Sequence, residues 1–357
     1  METPKVDDGI SLELLGLAAR NHGMPLEALR YDVTPIGLHY LLIHFDIPET
    51  DQATWSIEIG GRVRHPVTLT MQDVLARPAV TFAVTMECAG NGRARLSPRA
   101  NSQPWLDEAI GTAEWTGTPL RPILEEAAIE PDAVELVFTG ADHGVQHDVE
   151  HDYQRSLSVA EAMRDDVLLA YAINGQPLPP QHGFPVRLLV PGWYGMTSVK
   201  WLTSIEAVSE PFDGVQMAAY LLRRDEEDEG TPVTRMQPRA LMVPPGFPDF
   251  PARARILDAG PTRLLGRAWS GVAPIERVEV SVDGGATWND AALGPMPASP
   301  YAWRLWTFEW DPAPGEHELV VRATDATGAA QPVDPPWNVG GFSNNMVQRV
   351  PVTVREA

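Results

Sequence analysis

Val84-Thr85-Met86-Glu87-Cys88-Ala89-Gly90-Asn91-Gly92-Arg93, residues 84–93, carries the only cysteine of the chain at the end of an apolar run, Val80 to Met86. A lone cysteine is most often a small buried hydrophobe. Here small residues follow it at once, so the backbone can turn sharply and a bulky group can approach. Arg93, five positions on, brings a permanent cation able to lower the thiol pKa or to hold an anion. A thiolate at a strand end beside a glycine turn suits a soft metal ligand. One thiolate cannot hold a metal alone, so the other ligands would come from a cofactor.

A second stretch of the same character is NGQPLPPQHGFPVRLLVPGWYGMTSVKWL, residues 174–202. Its polar members His182, Arg187, Ser198 and Lys200 share no helical or strand period. Glycine amides with Lys and Arg are common phosphate donors, so the stretch fits contact with a flat, polar, phosphate-bearing ligand. The competing reading is a proline-stiffened loop that packs Trp193 and Trp201.

Around these two segments the chain reads as α+β without regular βαβ alternation. Thr70 to Asp73 opens a short helix, and Leu120, Ile123, Leu124 and Ala127 have helical spacing. Ser158 and Glu161 form a capping-box pair ahead of AMRDDVLLAY. Trp55, Ile57 and Ile59 alternate with polar residues, VELVFTG and FPVRLLVPG read as buried strands, and Asn174-Gly175 supplies a tight turn. The organisation expected is an N-terminal extension (1–32), an α+β domain (33–223), a charged and proline-rich connection (224–249) and an all-β domain (250–357). In the last, alternating Val278, Val280 and Val282, then Leu319, Val321 and Ala323, then Val350, Val352 and Val354, predict an immunoglobulin-like sandwich. Trp303, Trp306 and Trp310 either fill its core or form an apolar patch for a second subunit.

The chain has 357 residues, with Lys+Arg 27 against Asp+Glu 48, giving a net charge of −21. That excess argues against nucleic acid and against an anionic membrane surface. It fits a solvated surface or steering of a basic protein partner. One cysteine excludes an internal disulfide and a multi-cysteine zinc or iron–sulfur site. The start, METPKVDDGI, is acidic where a signal peptide needs a basic region, and no apolar run spans a bilayer, so a cytoplasmic protein is expected.

CAGN-x-R, followed by NG-x-PLP-x-x-HGFPVRLLVPG and SVKWL, resembles the sulfite oxidase family of molybdopterin enzymes. VEVSVDGGATW, YAWRLWTFEW and WN-x-x-G-x-x-NN continue the likeness, which spans roughly residues 33–355. It implies a molybdenum-cofactor domain followed by an immunoglobulin-like domain that makes a homodimer. Cys88 would ligate molybdenum beside the dithiolene of one pyranopterin. His182, Arg187, Ser198 and Lys200 would hold its phosphate and pterin, and Asp142 would be an acidic pterin contact. His44, at the end of Tyr40-Leu41-Leu42-Ile43-His44, matches the last residue of the family's Arg-Asn-His run, and Tyr40 lies with it at the cofactor. Arg20-Asn21-His22 spells that triplet too, but so early in the chain that it is read as coincidental.

In the substrate pocket the resemblance assigns Trp105, Tyr220 and Arg93. Two further arginines of the family's anion pocket are replaced, by Leu42 and Gly340. Each lost charge-assisted bond costs about 1.5–3 kcal/mol, so sulfite binding should weaken. The leading expectation is two-electron oxygen-atom transfer with sulfite as substrate, no attached haem, and an external electron carrier. Another sulfur or nitrogen compound, turned over in the reducing direction, is the alternative. A non-catalytic binding or assembly module is the reading of a different class.

Overall fold

The computed structural model describes residues 11–146, 148–225 and 227–356, so the acidic run 1–10 lies outside the described residues. After a helix α1 (Leu12–Arg20), two sheets organise the first domain. One has the order β2–β1–β10–β5–β6: β1 is Ser56–Gly61, β2 Val67–Thr70, β5 Glu135–Gln146, β6 Val149–Ser158 and β10 Leu202–Val208. All its pairs are antiparallel except β1 with β10. The other contains β3 (Val80–Glu87), β4 (Ile110–Pro119), β7 (Leu168–Ile173) and β8 (Gln176–Pro177), with β9 (Arg187–Leu189) also on β7.

Between them lies an apolar core that includes Ile57, Phe138, Leu169, Leu188 and Ile205. Two short helices close it. Met71–Ala76 is capped reciprocally by Thr70 and Asp73, and Leu120–Ala127 buries Leu120, Ile123, Leu124 and Ala127 on one face. Ser158 caps only a four-residue helix, Val159–Ala162. Glu161 does not return the bond to Ser158. Its carboxylate takes the Trp193 indole and the Arg164 and Arg235 guanidinium groups instead.

The second domain is a two-sheet sandwich. Four strands (Arg239–Met242, Thr262–Trp269, Ala292–Leu293 and Arg304–Trp310) form one sheet, and six form the other. Arg239–Met242 falls inside the stretch expected to be a connection, yet it pairs with Thr262–Trp269 and contributes Ala240 and Met242 to the core. The alternating valines point inward as anticipated. Trp306 and Trp310 fill the sandwich core, and Trp303 packs in a third cluster shared by both domains, so none of the three forms an outer patch. No helix among the described residues is long and apolar enough to cross a membrane.

Candidate active site

β3 ends in buried Glu87, and the chain turns immediately afterwards. Cys88 donates its amide to the Ala109 carbonyl at 2.9 Å, and the Asn91 amide closes the turn on the Cys88 carbonyl at 2.9 Å. Gly92 has φ +89°, a conformation that glycine adopts without steric cost. Arg93 then folds back over the turn: a Cβ at Gly90 would lie 2.5 Å from its guanidinium. Glycine at position 90 leaves room for this guanidinium against the turn.

Cys88 lies where two clefts meet. The first gathers Tyr40, His44, Asp142, His182, Arg187, Ser198, Lys200 and Tyr220 around it, residues from six separate stretches of chain. β9 supplies Arg187, and the turn Pro180–His182, ended by Gly183 at φ +103°, supplies His182. Asp142 comes from a break in register between β5 and β6, bracketed by Thr139 and His143, which turns its side chain inward. Tyr153 braces the floor by donating to the Met196 carbonyl at 2.8 Å.

The electrostatics of this cleft are one-sided. Arg187, 4% exposed, donates to the carbonyls of His182 and Ser198, at longer range to the Leu188 carbonyl and the Met86 sulfur, and lies over Trp115. The Lys200 ammonium donates to the carbonyls of Leu42 and Gln181 at 2.9 and 3.1 Å. Among the described residues neither cation has a carboxylate within ion-pair distance. Burial, reinforced by Arg187, pulls Lys200 down to about 7. Burial likewise pulls His39 and His44 to about 4 and His182 to about 2, and it pushes Asp142 up to about 6. In its lining, Asp142 Oδ1 and His39 Nε2 are buried without a hydrogen-bond partner. Buried polar atoms are rarely left so. A phosphate on a polar ring system would relieve both defects. It brings negative charge to Arg187 and Lys200, and donors and acceptors to the orphaned atoms.

Among the described residues no three His, Cys, Asp or Glu side chains converge on a metal position. A metal at Cys88 would therefore take its other ligands from the same organic group. The residues present fit a molybdopterin. Arg93 draws the Cys88 thiol pKa down, but burial is the larger effect and the net shift is upward. The thiolate would thus depend on a bound metal.

The second cleft leads outward. Arg93, Gln103, Gln146, Tyr220 and Phe342 line it with Arg20 and Asn21. Arg93 donates Nε to the Gly340 carbonyl at 2.9 Å and one amino group to the Gln103 carbonyl at 3.1 Å, under the Phe342 ring. Tyr220 packs on Phe342 with centroids 4.9 Å apart, and the Arg155 guanidinium lies 5.4 Å from its ring centre. Gly340 thus contributes a carbonyl where an arginine was expected from the resemblance, and Leu42 contributes hydrocarbon to both clefts. Trp105 lines neither cleft: it is buried beside the Cys88 sulfur, its indole N–H without a partner of good geometry.

Several site residues were not singled out from sequence. His39 and Tyr153 sit as isolated polar residues in otherwise ordinary strand and loop segments, with no spacing signal. Arg20-Asn21-His22, set aside in the sequence, lies beside the second cleft, with Arg20 and Asn21 in its lining. His22 forms a two-bond antiparallel bridge with Leu41, and Asn21 accepts from the Ile43 amide at 2.7 Å while donating to Gln103. The triplet lies alongside the segment that lost its own.

Comparisons with known proteins agree with this arrangement. Residues 44–216 match the oxidoreductase molybdopterin binding domain, and residues 251–355 match the Mo-co oxidoreductase dimerisation domain. Mouse mitochondrial sulfite oxidase is 32% identical over 90% of this chain, which spans 62% of that protein. Barley NAD(P)H nitrate reductase is 33% identical over 90% of this chain, which spans 39% of it. The sulfane dehydrogenase SoxCD structure from Paracoccus pantotrophus superposes with a TM-score of 0.80 at 28% identity, covering 94% of this chain and 86% of that one. With two family domains in the order the two halves of the fold require, the chain belongs to the sulfite oxidase family of molybdenum-cofactor oxidoreductases.

Proposed function

We propose that this protein oxidises a small sulfur compound by two-electron oxygen-atom transfer at a molybdenum held by Cys88. The observation that carries the reading is the meeting of a cationic, anion-deficient cleft and a substrate-sized funnel at that one thiol. When bound, the cofactor supplies the two-electron chemistry. The chain's own residues do the rest. Arg187, Lys200, His182 and Ser198 clamp the phosphate and pterin, with Asp142 and His44 as further contacts. Arg93 presents its remaining amino group to the funnel and would stabilise negative charge on the reacting group. Tyr220, whose pKa burial pushes up to about 12, stays protonated and would donate a hydrogen bond there. Phe342 and Leu42 keep water from the inner end.

For sulfite, the reference substrate, sulfite and water give sulfate, two protons and two electrons, and the electrons pass to an external acceptor. One guanidinium at the inner end, with Leu42 and Phe342 beside it, favours a sulfur centre of lower charge density. SoxCD, by its name, dehydrogenates sulfane sulfur, which makes sulfane compounds the second class to test. Nitrate reduction is the rival reading, since barley nitrate reductase is as similar as mouse sulfite oxidase. A homodimer through the immunoglobulin-like second domain belongs to the same proposal.

The test is expression in a molybdenum-cofactor-competent host. Elemental analysis should find molybdenum in the native chain and none in Cys88→Ser. The native protein should reduce a dye with sulfite or thiosulfate. Equal metal in both proteins would refute the ligand assignment, and turnover of nitrate alone would refute the sulfur reading.

A further inference from the structure

The outer funnel carries a cation that no resemblance assigns. Arg20 ends α1 and sits at the mouth of the second cleft. Its guanidinium reaches only the carbonyls of Phe45 and His44, at 3.4 and 3.3 Å, the long limit of hydrogen bonding. It has no carboxylate within ion-pair distance among the described residues. That is notable in a chain with 48 acidic residues against 27 basic ones. Arg20 and Arg93 line the cleft together, and its described lining contains no Asp or Glu at all. The mouth is an electropositive spot on an acidic protein, and such a spot concentrates anions.

Its position is built rather than incidental. Asn21 Nδ2 bonds the Leu17 carbonyl at 2.9 Å, stopping the helix, and the Gln103 side chain at 3.0 Å. Oδ1 of the same residue holds the Ile43 amide. The two backbone bonds between His22 and Leu41, 3.1 and 2.8 Å, fix the segment beside Leu42. The helix end held beside Leu42, where an arginine was expected, therefore supplies another guanidinium to the same cleft.

We infer that Arg20 is a specificity-determining residue that binds the charged end of an extended anion, whose reacting atom lies inward at Cys88 and Tyr220. Arg20 and Cys88 line one cleft, so an anionic group held by Arg20 and a sulfur reacting at Cys88 are separate parts of one molecule, the anionic group at least one bond from the reacting sulfur, as in a thiosulfonate. The inference rests on the proposed function and names its substrate class.

The experiment compares the molybdenum-loaded native protein with Arg20→Ala and Arg20→Lys, using thiosulfate, sulfite and the neutral dimethyl sulfide. Arg20 is exposed, so the variants should fold. Arg20→Ala should raise KM for thiosulfate about tenfold, the low end for a charge-assisted bond, with kcat within about twofold. The KM values for sulfite and dimethyl sulfide should stay within about twofold, and Arg20→Lys should recover part of the loss. Calorimetric titration with methanesulfonate, which has the anionic group and no readily oxidised sulfur, should show a parallel loss of affinity. An unchanged thiosulfate KM, or an equal rise for all three compounds, would overturn the assignment. If the native protein turns over none of them, the proposed function fails, and the methanesulfonate titration alone decides whether Arg20 holds an anion.

Discussion

Two groups of buried charges flank the Cys88 loop, and they are built on opposite plans. Behind it, Arg239 is 1% exposed and donates to Glu87 at 3.0 Å, to Asp107 at 2.7 Å and to the carbonyl of Asn344 at 3.0 Å. Glu87 also takes the Trp269 indole and the Asn91 amide, and Asp107 takes Arg95. In front, buried Arg187 and partly buried Lys200 donate chiefly to carbonyls, and neither has a carboxylate within ion-pair distance among the described residues. A buried charge paired with carboxylates is part of the scaffold. One left without a counter-charge costs stability until something brings that charge. The contrast distinguishes what holds the protein together from what waits on a ligand, a distinction that burial alone does not make.

The sharpest way to break this contrast is Arg239→Met, which leaves Glu87 buried without a counter-charge and Asp107 with Arg95 alone. Removing one partner of a buried pair costs about 3–5 kcal/mol, and urea unfolding should show a loss of that size. A loss below about 1 kcal/mol would mean that the network behind the loop is no more structural than the cleft in front. Arg187→Met should do the reverse. Stability of the cofactor-free protein should change by about 1 kcal/mol or less, because a costly lone charge leaves with the bonds it made. Molybdenum recovered with the variant should nevertheless fall at least about tenfold, as elemental analysis would show.

Acidity probes the same difference more gently. His39 and His182 titrate at about 4 and about 2 in the folded protein, below their ordinary value of 6.5. As pH falls below 6.5 the unfolded chain binds protons that the folded chain refuses, so stability drops, and the loss levels off only beneath the folded values. Lys200, at about 7 against 10.5, acts in the same sense between those limits. Asp142, at about 6 against 3.8, opposes them in its own window. The melting temperature of cofactor-free protein should therefore fall from about pH 8 to about pH 5, and His182→Gln should flatten the fall. A flat native profile would contradict the one-sided cleft. The smallest effect belongs at the surface: Arg77→Ala, which breaks the paired bonds to exposed Glu126, should cost less than about 1 kcal/mol.

What the sequence disclosed follows the range of each signal. The sandwich valines and the two capped or amphipathic helices are written in local periodicity, and they fold accordingly. Cys88 was legible because a glycine turn adjoins it. Arg239–Met242 was not, because prolines flank four strand residues and make them look like a connection. Glu161 spelled a cap, but stronger partners distant in sequence, Trp193 and Arg235, took its carboxylate. Arg20-Asn21-His22 was discounted for its place in the chain, whereas a two-bond bridge to Leu41 decides its place in space. Long-range pairing leaves no period to read, and this site is assembled almost entirely by long-range pairing.

The lid over the back of the Cys88 turn comes from the far end of the polypeptide. Asn344 reaches the Gly92 carbonyl across 252 positions, Ser343 bonds Ala89, and Gly340 holds Arg93. During synthesis the thiol emerges about 250 residues before the segment that closes over its turn. Loading of the metal should then follow synthesis of that segment, and truncation before residue 345 should lower the molybdenum recovered with the protein.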